Sequence, residues 1–227
     1  MFVTQFFVNL LWWIGISLLA ERVNISTFQK RFIEIASAIL FIAWFATFDL
    51  LAHNSFFRAI GGIPLALLLP FIFGFSLFFS QTFRKLLIVT PMHWIIGFQV
   101  YRVLGGVFFI WNAQGLLPSI FALSAGFGDV LTGITAPLVA YWSYKNGKGA
   151  RLIAYIWNSF GVLDTVNALT LGTLAQTHLL KTGPTAALLG VLPFVWLTAF
   201  AVPRSLLLHG YTLWLLGKRR TGKKIQL

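Results

Sequence analysis

The chain has 227 residues, 58% of them hydrophobic and 10% charged; soluble proteins carry about a quarter charged residues, so the composition excludes an ordinary soluble domain and points to an integral membrane protein. With no cysteine in the sequence, a disulfide framework, a thiolate metal site and a cysteine nucleophile are all excluded. The formal charge of +12 is distributed between apolar runs instead of gathered on one soluble face, which argues against nucleic acid as a partner and for membrane topology.

A helix that crosses a bilayer needs about 20 apolar residues. Runs of that kind occupy residues 2–20, 32–52, 63–80, 86–110, 116–141, 152–177 and 186–216. They predict an all-α polytopic membrane protein, with seven transmembrane helices in a single domain over 1–227 and a short basic tail at 217–227. The first run has no basic leader and ends at Ala20, Glu21 and Arg22 without a small-residue cleavage site, so it reads as a helix and not as a signal peptide.

The connections set the orientation, because Lys and Arg near helix ends collect on the cytoplasmic side. Arg22, Lys30 and Arg31 follow the first run, Arg84 and Lys85 the third, and Lys145, Lys148 and Arg151 the fifth. Lys218, Arg219, Arg220, Lys223 and Lys224 form the tail, whereas the opposite side holds only Arg58 and Lys181. The expected N-terminus is therefore outside and the C-terminus cytoplasmic. Trp111, Trp142 and Trp214 at run ends suit interfacial anchoring. The basic tail suits anionic lipid, although the positive-inside effect alone accounts for it. Prolines at 64, 70, 91, 137, 193 and 203 punctuate the runs, and the overlong seventh run is expected to tilt or kink at Pro193 and Pro203.

Among the ionisable residues inside runs, four stand out: Arg102, Asp129, Asp164 and Arg204. Such groups cost on the order of 2.5–3.5 kcal/mol each on insertion scales, so they face the bundle interior and pair. Counted from the connection between the fifth and sixth runs, Asp129 and Asp164 fall at one level near the bilayer centre. Arg102 lies about 4.5 Å nearer the outer surface, and Arg204 about 6 Å nearer the inner one if its helix is straight. Side chains lean toward the N-terminus of their helix, which aims both arginines at the aspartates. Gln99, Gly105 and Gly106 share a face with Arg102, and Ala122, Ala125, Gly126, Thr132, Gly133 and Ala136 share one with Asp129. Small-residue stripes of this kind let helices approach closely. Gly161 and Asn167 stand at helical neighbour spacing from Asp164, and Asn158 lies off that face. The expected centre thus comprises Gln99, Tyr101, Arg102, Asp129, Asp164, Asn167 and Arg204, and is formally neutral.

Such a centre reads in two ways: as a closed ion-pair network that fixes helix register, or as a substrate or proton-relay site at the midplane. Gly126 and Gly128 just before Asp129 serve either as packing points or as a local break that exposes backbone to a ligand. The histidines form two levels, His53 and His178 toward the outside, His93 and His209 toward the inside. Opposed histidines on facing helices are a haem arrangement, which makes these the haem candidates; interfacial or hydrogen-bonded histidine is the alternative, and Asp49 and His53 have the i, i+4 spacing of a local pair. No cofactor and no metal site is otherwise expected. No lysine lies mid-span to hold retinal, and H-E-x-x-H, G-x-S-x-G and P-loop motifs are absent from the sequence. An enzyme is therefore the less favoured class.

Gln99-Val-Tyr101-Arg102, Leu117-Pro118 with Phe121-Ala122, Ala125 to Asp129, Ala136-Pro137, and Pro203 with Leu206 to His209 together resemble a group of uncharacterised bacterial seven-helix membrane proteins. The resemblance covers mainly the fourth to seventh runs. It implies a multi-pass protein of the bacterial inner membrane and assigns no residue a role. Three functions stay open: a small membrane transporter or binding protein for a small polar or amphiphilic ligand; a structural or accessory subunit packed among other membrane subunits or copies of itself; and a haem or quinone redox protein.

Overall fold

The computed structural model of the chain describes residues 2–54, 56–58, 62–177 and 179–220; His178 and residues 221–227 of the basic tail lie outside them. Among the described residues the regular elements are helices, with no strand. Helix α1 spans Phe2–Arg22, α2 Thr27–His53, α3 Gly62–Ser76, α4 Gln81–Val89, α5 Met92–Phe98, α6 Val107–Ala113, α7 Ser119–Tyr144, α8 Ala150–Gln176 and α9 Val202–Arg220. Four stretches among them are long and apolar enough to cross a membrane: Val3–Arg22, Thr27–His53, Met92–Ala113 and Ser119–Tyr144. A fifth is reached if the bent pair Pro70–Phe79 and Gln81–Val89 counts as one.

Two of the expected runs are divided, for local reasons. The fourth begins at Met92 and not at 86, because Pro91 offers no N–H and holds Thr90 extended at ψ 121°. Residues before it form α4, bent by 92° from Pro70–Phe79 at Ser80. The seventh run is not one helix. A 3-10 turn over Ala186–Gly190 leads to a turn, then to a π-helical turn at Leu197–Ala201, and only then to α9. Pro203 has no N–H to return to the carbonyl of Ala199, and the π-helical turn gives way to α9 just before it.

The described residues gather into two compact units. One takes in 2–90 and 190–200, the other 91–189 and 201–220. In the first, Ser26 caps α2 through a reciprocal capping box with Gln29, and Trp13 on α1 donates to the Glu34 carbonyl at 3.0 Å. Its core is aromatic: Phe48, Phe57, Val195, Trp196, Ala199 and Phe200, with Phe45 stacked on Phe200 at 4.5 Å between centroids.

In the second unit, α5, a 3-10 helix over Gln99–Gly106 and α6 run end to end, followed by α7, α8 and α9. Asn146 and Gly149 adopt the left-handed conformation in the α7–α8 turn, φ 49° and 77°, where glycine carries no steric penalty. One layer of the core, Met92, Ile96, Ala136, Val139, Ala140, Ala154, Trp157 and Leu216, is drawn from α5, α7, α8 and α9. The polar centre lies wholly within this unit.

Candidate functional site

The centre begins with a departure from α-helical geometry. Gln99–Gly106 forms a 3-10 helix of eight residues, longer than the three or four usual for that conformation. At three residues per turn, side chains at i and i+3 eclipse, so Gln99, Arg102 and Gly105 stand in one row, and all three are buried. The row packs on α7, whose small residues permit the approach: a β-carbon at Gly133 would run into the backbone of Arg102 and Val103.

Arg102, only 3% exposed, is the hub. Its Nε donates to Asp129 Oδ1 at 2.7 Å, its Nη2 lies 2.7 Å from the same oxygen, and Nη2 also donates to Asp164 Oδ2. Its Nη1 donates to His209 Nε2 at 3.0 Å. A guanidinium has no acceptor, so His209 accepts on Nε2 and carries its proton on Nδ1, which donates to Asn158 Oδ1 at 2.9 Å. The Asn158 amide then donates to the Ala154 carbonyl at 2.7 Å. Arg102, His209 and Asn158 are thus joined in one hydrogen-bonded chain that ends on the α8 backbone.

Glycines seat the charged groups. A β-carbon on Gly105 would meet the Asp129 side chain, one on Gly128 the Asp164 carboxylate, and one on Gly161 the His209 ring. Each helix from α7 to α9 therefore lays one polar side chain against a glycine of the preceding helical span. Glycine is needed here for proximity: any larger residue fills the place of the functional group.

The touching charges do not balance. Arg102 contributes one positive charge against two carboxylates, and His209, accepting from Arg102, is neutral. The three contacting ions sum to minus one. Access to them also differs: the Asp129 side chain is 24% exposed and that of Asp164 is 6% exposed.

The remaining expected residues fall elsewhere. Arg204, buried, places its guanidinium 4.6 Å from the Tyr101 ring centroid, a cation–π contact, and the Tyr101 hydroxyl donates to the Ala201 carbonyl at 3.2 Å. One arginine thus serves both aspartates, where two were expected. On α9 it is His209, five residues beyond Arg204, that meets Arg102. Asn167 is exposed and donates to Ser124 Oγ at 2.7 Å, outside the centre; Asn158, expected off the face, belongs to it. Gln99 is fully buried one 3-10 turn from Arg102 and accepts from Ser205 Oγ at 3.4 Å.

Among the described residues the haem candidates His53, His93 and His209 lie in separate surroundings, and His178 falls outside those residues. Both His209 nitrogens are engaged by Arg102 and Asn158, and the one ring lone pair, on Nε2, accepts from Arg102. His93 packs edge-on against Tyr144 at 5.0 Å, and His53 meets the Asp49 carbonyl at 2.8 Å in an exposed position. Among the described residues no group of three or more His, Cys, Asp or Glu is gathered for a metal ion. The sequence signal for His209 was Gly161: a glycine beside a mid-span aspartate leaves room for one large polar group on a facing helix.

Residues 60–217 match the model of the family described as Domain of unknown function (DUF8737). No curated protein and no solved structure matches the chain.

Proposed function

The chain belongs to the family of unknown function DUF8737, and from the geometry of its centre we propose that it is a multi-pass membrane transporter whose Asp129–Arg102–Asp164 site exchanges a proton or small monovalent cation while a small polar or amphiphilic solute is moved. In this reading the chain crosses a bacterial inner membrane seven times, with its N-terminus outside and its C-terminus cytoplasmic. The alternation of the basic connections supports that orientation, and α8 and α9 supply the more polar crossings.

One observation carries the reading: a single guanidinium is shared by two carboxylates, so the three contacting groups sum to one negative charge when both carboxylates are ionised. An uncompensated buried charge is costly, and binding one proton or one monovalent cation removes it. Intramembrane carboxylates paired in this way serve proton and ion pathways. In this reading Asp129 is the exchanging group and Asp164 is the standing counter-ion of Arg102.

The test is proton flux into proteoliposomes loaded with a pH-sensitive dye under an imposed potassium diffusion potential. Wild type is expected to carry flux, and Asp129→Asn to abolish it while eluting as wild type on size exclusion. Equal flux in the two proteins, or none in either, overturns the reading.

The glycine seats favour a second reading, a structural or accessory subunit in which the same centre locks helix register. It gains if Asp129→Asn fails to assemble and the exchanged pair Arg102→Asp with Asp129→Arg restores assembly.

A further inference from the structure

Outside the centre, the strongest unexplained feature is α4. Ser80 breaks the chain with an extended backbone, φ −75° and ψ 123°, and its Oγ accepts from the Phe83 N–H, so α4 starts as a capped helix and is no frayed end of α3. The axis turns by 92° at that point. If Pro70–Phe79 runs along the bilayer normal, α4 lies in the membrane plane, at the level where a crossing helix ends.

Its two faces differ as an in-plane helix requires. Gln81, Arg84 and Lys85, at i, i+3 and i+4, share one face and are exposed, while Leu87 is buried and Phe83, Leu86 and Ile88 are half-buried. At the corner, Phe75 and Phe79 are 65% and 76% exposed, as aromatic side chains at a lipid interface are.

The charge inventory supplies the second, independent observation. The sequence has five acidic side chains, and each already has a basic neighbour: Glu21 with Lys30, Glu34 with Arg31, Asp49 with His53, and Asp129 and Asp164 with Arg102. Among the described residues, Arg84 and Lys85 form no ion pair within the chain.

We propose that Arg84 and Lys85 on α4 form a binding site for the phosphate head groups of anionic phospholipids, which hold α4 flat at the bilayer surface. The proposal rests on the membrane-spanning part of the reading above and not on transport. Near a membrane surface each basic residue contributes on the order of a fivefold to tenfold preference for anionic lipid, and two together about 30-fold.

The experiment is native mass spectrometry of the full chain, delipidated in mild detergent and titrated with phosphatidylglycerol or phosphatidylcholine. Wild type is expected to retain phosphatidylglycerol about 30-fold better than phosphatidylcholine. The double variant Arg84→Gln with Lys85→Gln is expected to remove most of that preference, and Arg84→Lys with Lys85→Arg to keep it; Lys145→Gln with Lys148→Gln reports loss of charge elsewhere. Equal retention of both lipids by wild type overturns the proposal, as does an undiminished preference in the double glutamine variant at 84 and 85, or an equal loss in the variant at 145 and 148. A stoichiometric acidic protein that co-purifies with wild type and is lost from the double glutamine variant at 84 and 85 also overturns it, because the occupant is then a protein. Release of the chain from membranes by alkaline carbonate defeats the spanning reading instead, so the two failures are distinguishable.

Discussion

The imidazole of His209 occupies the place that a β-carbon on Gly161 would take, and from there it receives a hydrogen bond from Arg102. This contact ties α9 to α8 and to the 3-10 helix together, through a group that bears no charge. The ionic side of the hub is shared between α7 and α8, and the neutral side belongs to α9. Helix register and site geometry are consequently one property in this unit, which makes small substitutions informative.

Gly128→Ala and Gly161→Ala should each lower stability by about 1–3 kcal/mol or more, the usual cost of overpacking, because the added carbon falls on Asp164 or His209. Gly15 and Gly210 have nothing within 4 Å of such a carbon. Their alanine variants should be neutral or stabilised by about 0.4–1 kcal/mol through the unfolded state and helix propensity. Thermal unfolding of the purified variants in one detergent separates the two groups.

Arg102→Gln should cost about 3–5 kcal/mol, because it leaves two buried carboxylates facing one another without a cation. Adding Asp164→Asn to that variant should recover part of the loss, since it removes one orphaned charge. A double-mutant cycle on unfolding midpoints measures this coupling, and strictly additive effects would contradict the shared hub.

His209→Ala should destabilise by about 1–3 kcal/mol, the cost of leaving a charged donor without its acceptor. His209→Gln offers a carbonyl acceptor and should recover part of it. Asn158→Leu removes the group that receives the Nδ1 proton and should act in the same direction as His209→Ala, with the pair less than additive. Unfolding midpoints check the size, and the nitrogen-15 shifts of the His209 ring check the tautomer.

Ser80→Ala removes the cap of α4 and should cost about 0.5–2 kcal/mol locally. Hydrogen exchange is expected to speed up over residues 81–84, where the first N–H groups lose their partner. Unchanged protection there would mean that α4 is held without its cap.

Much of this was legible in the chain itself. Composition and run length foretell helices of membrane-crossing character, because a helix satisfies its own backbone in hydrocarbon and needs about 20 apolar residues to cross it. The cost of a lone intramembrane charge requires Arg102, Asp129 and Asp164 to find partners. The small residues from Ala122 to Ala136 mark the α7 face on which close packing is possible.

Which partners they find was left to the tertiary structure. Gln99, Arg102 and Gly105 form one row only because the chain there takes three residues per turn, a conformation uncommon at that length and not announced by the hydropathy of the run. The same holds for α9, where His209 and not Arg204 reaches the centre. Charge and hydropathy state that a group must be paired; helix register, set by packing, decides with what.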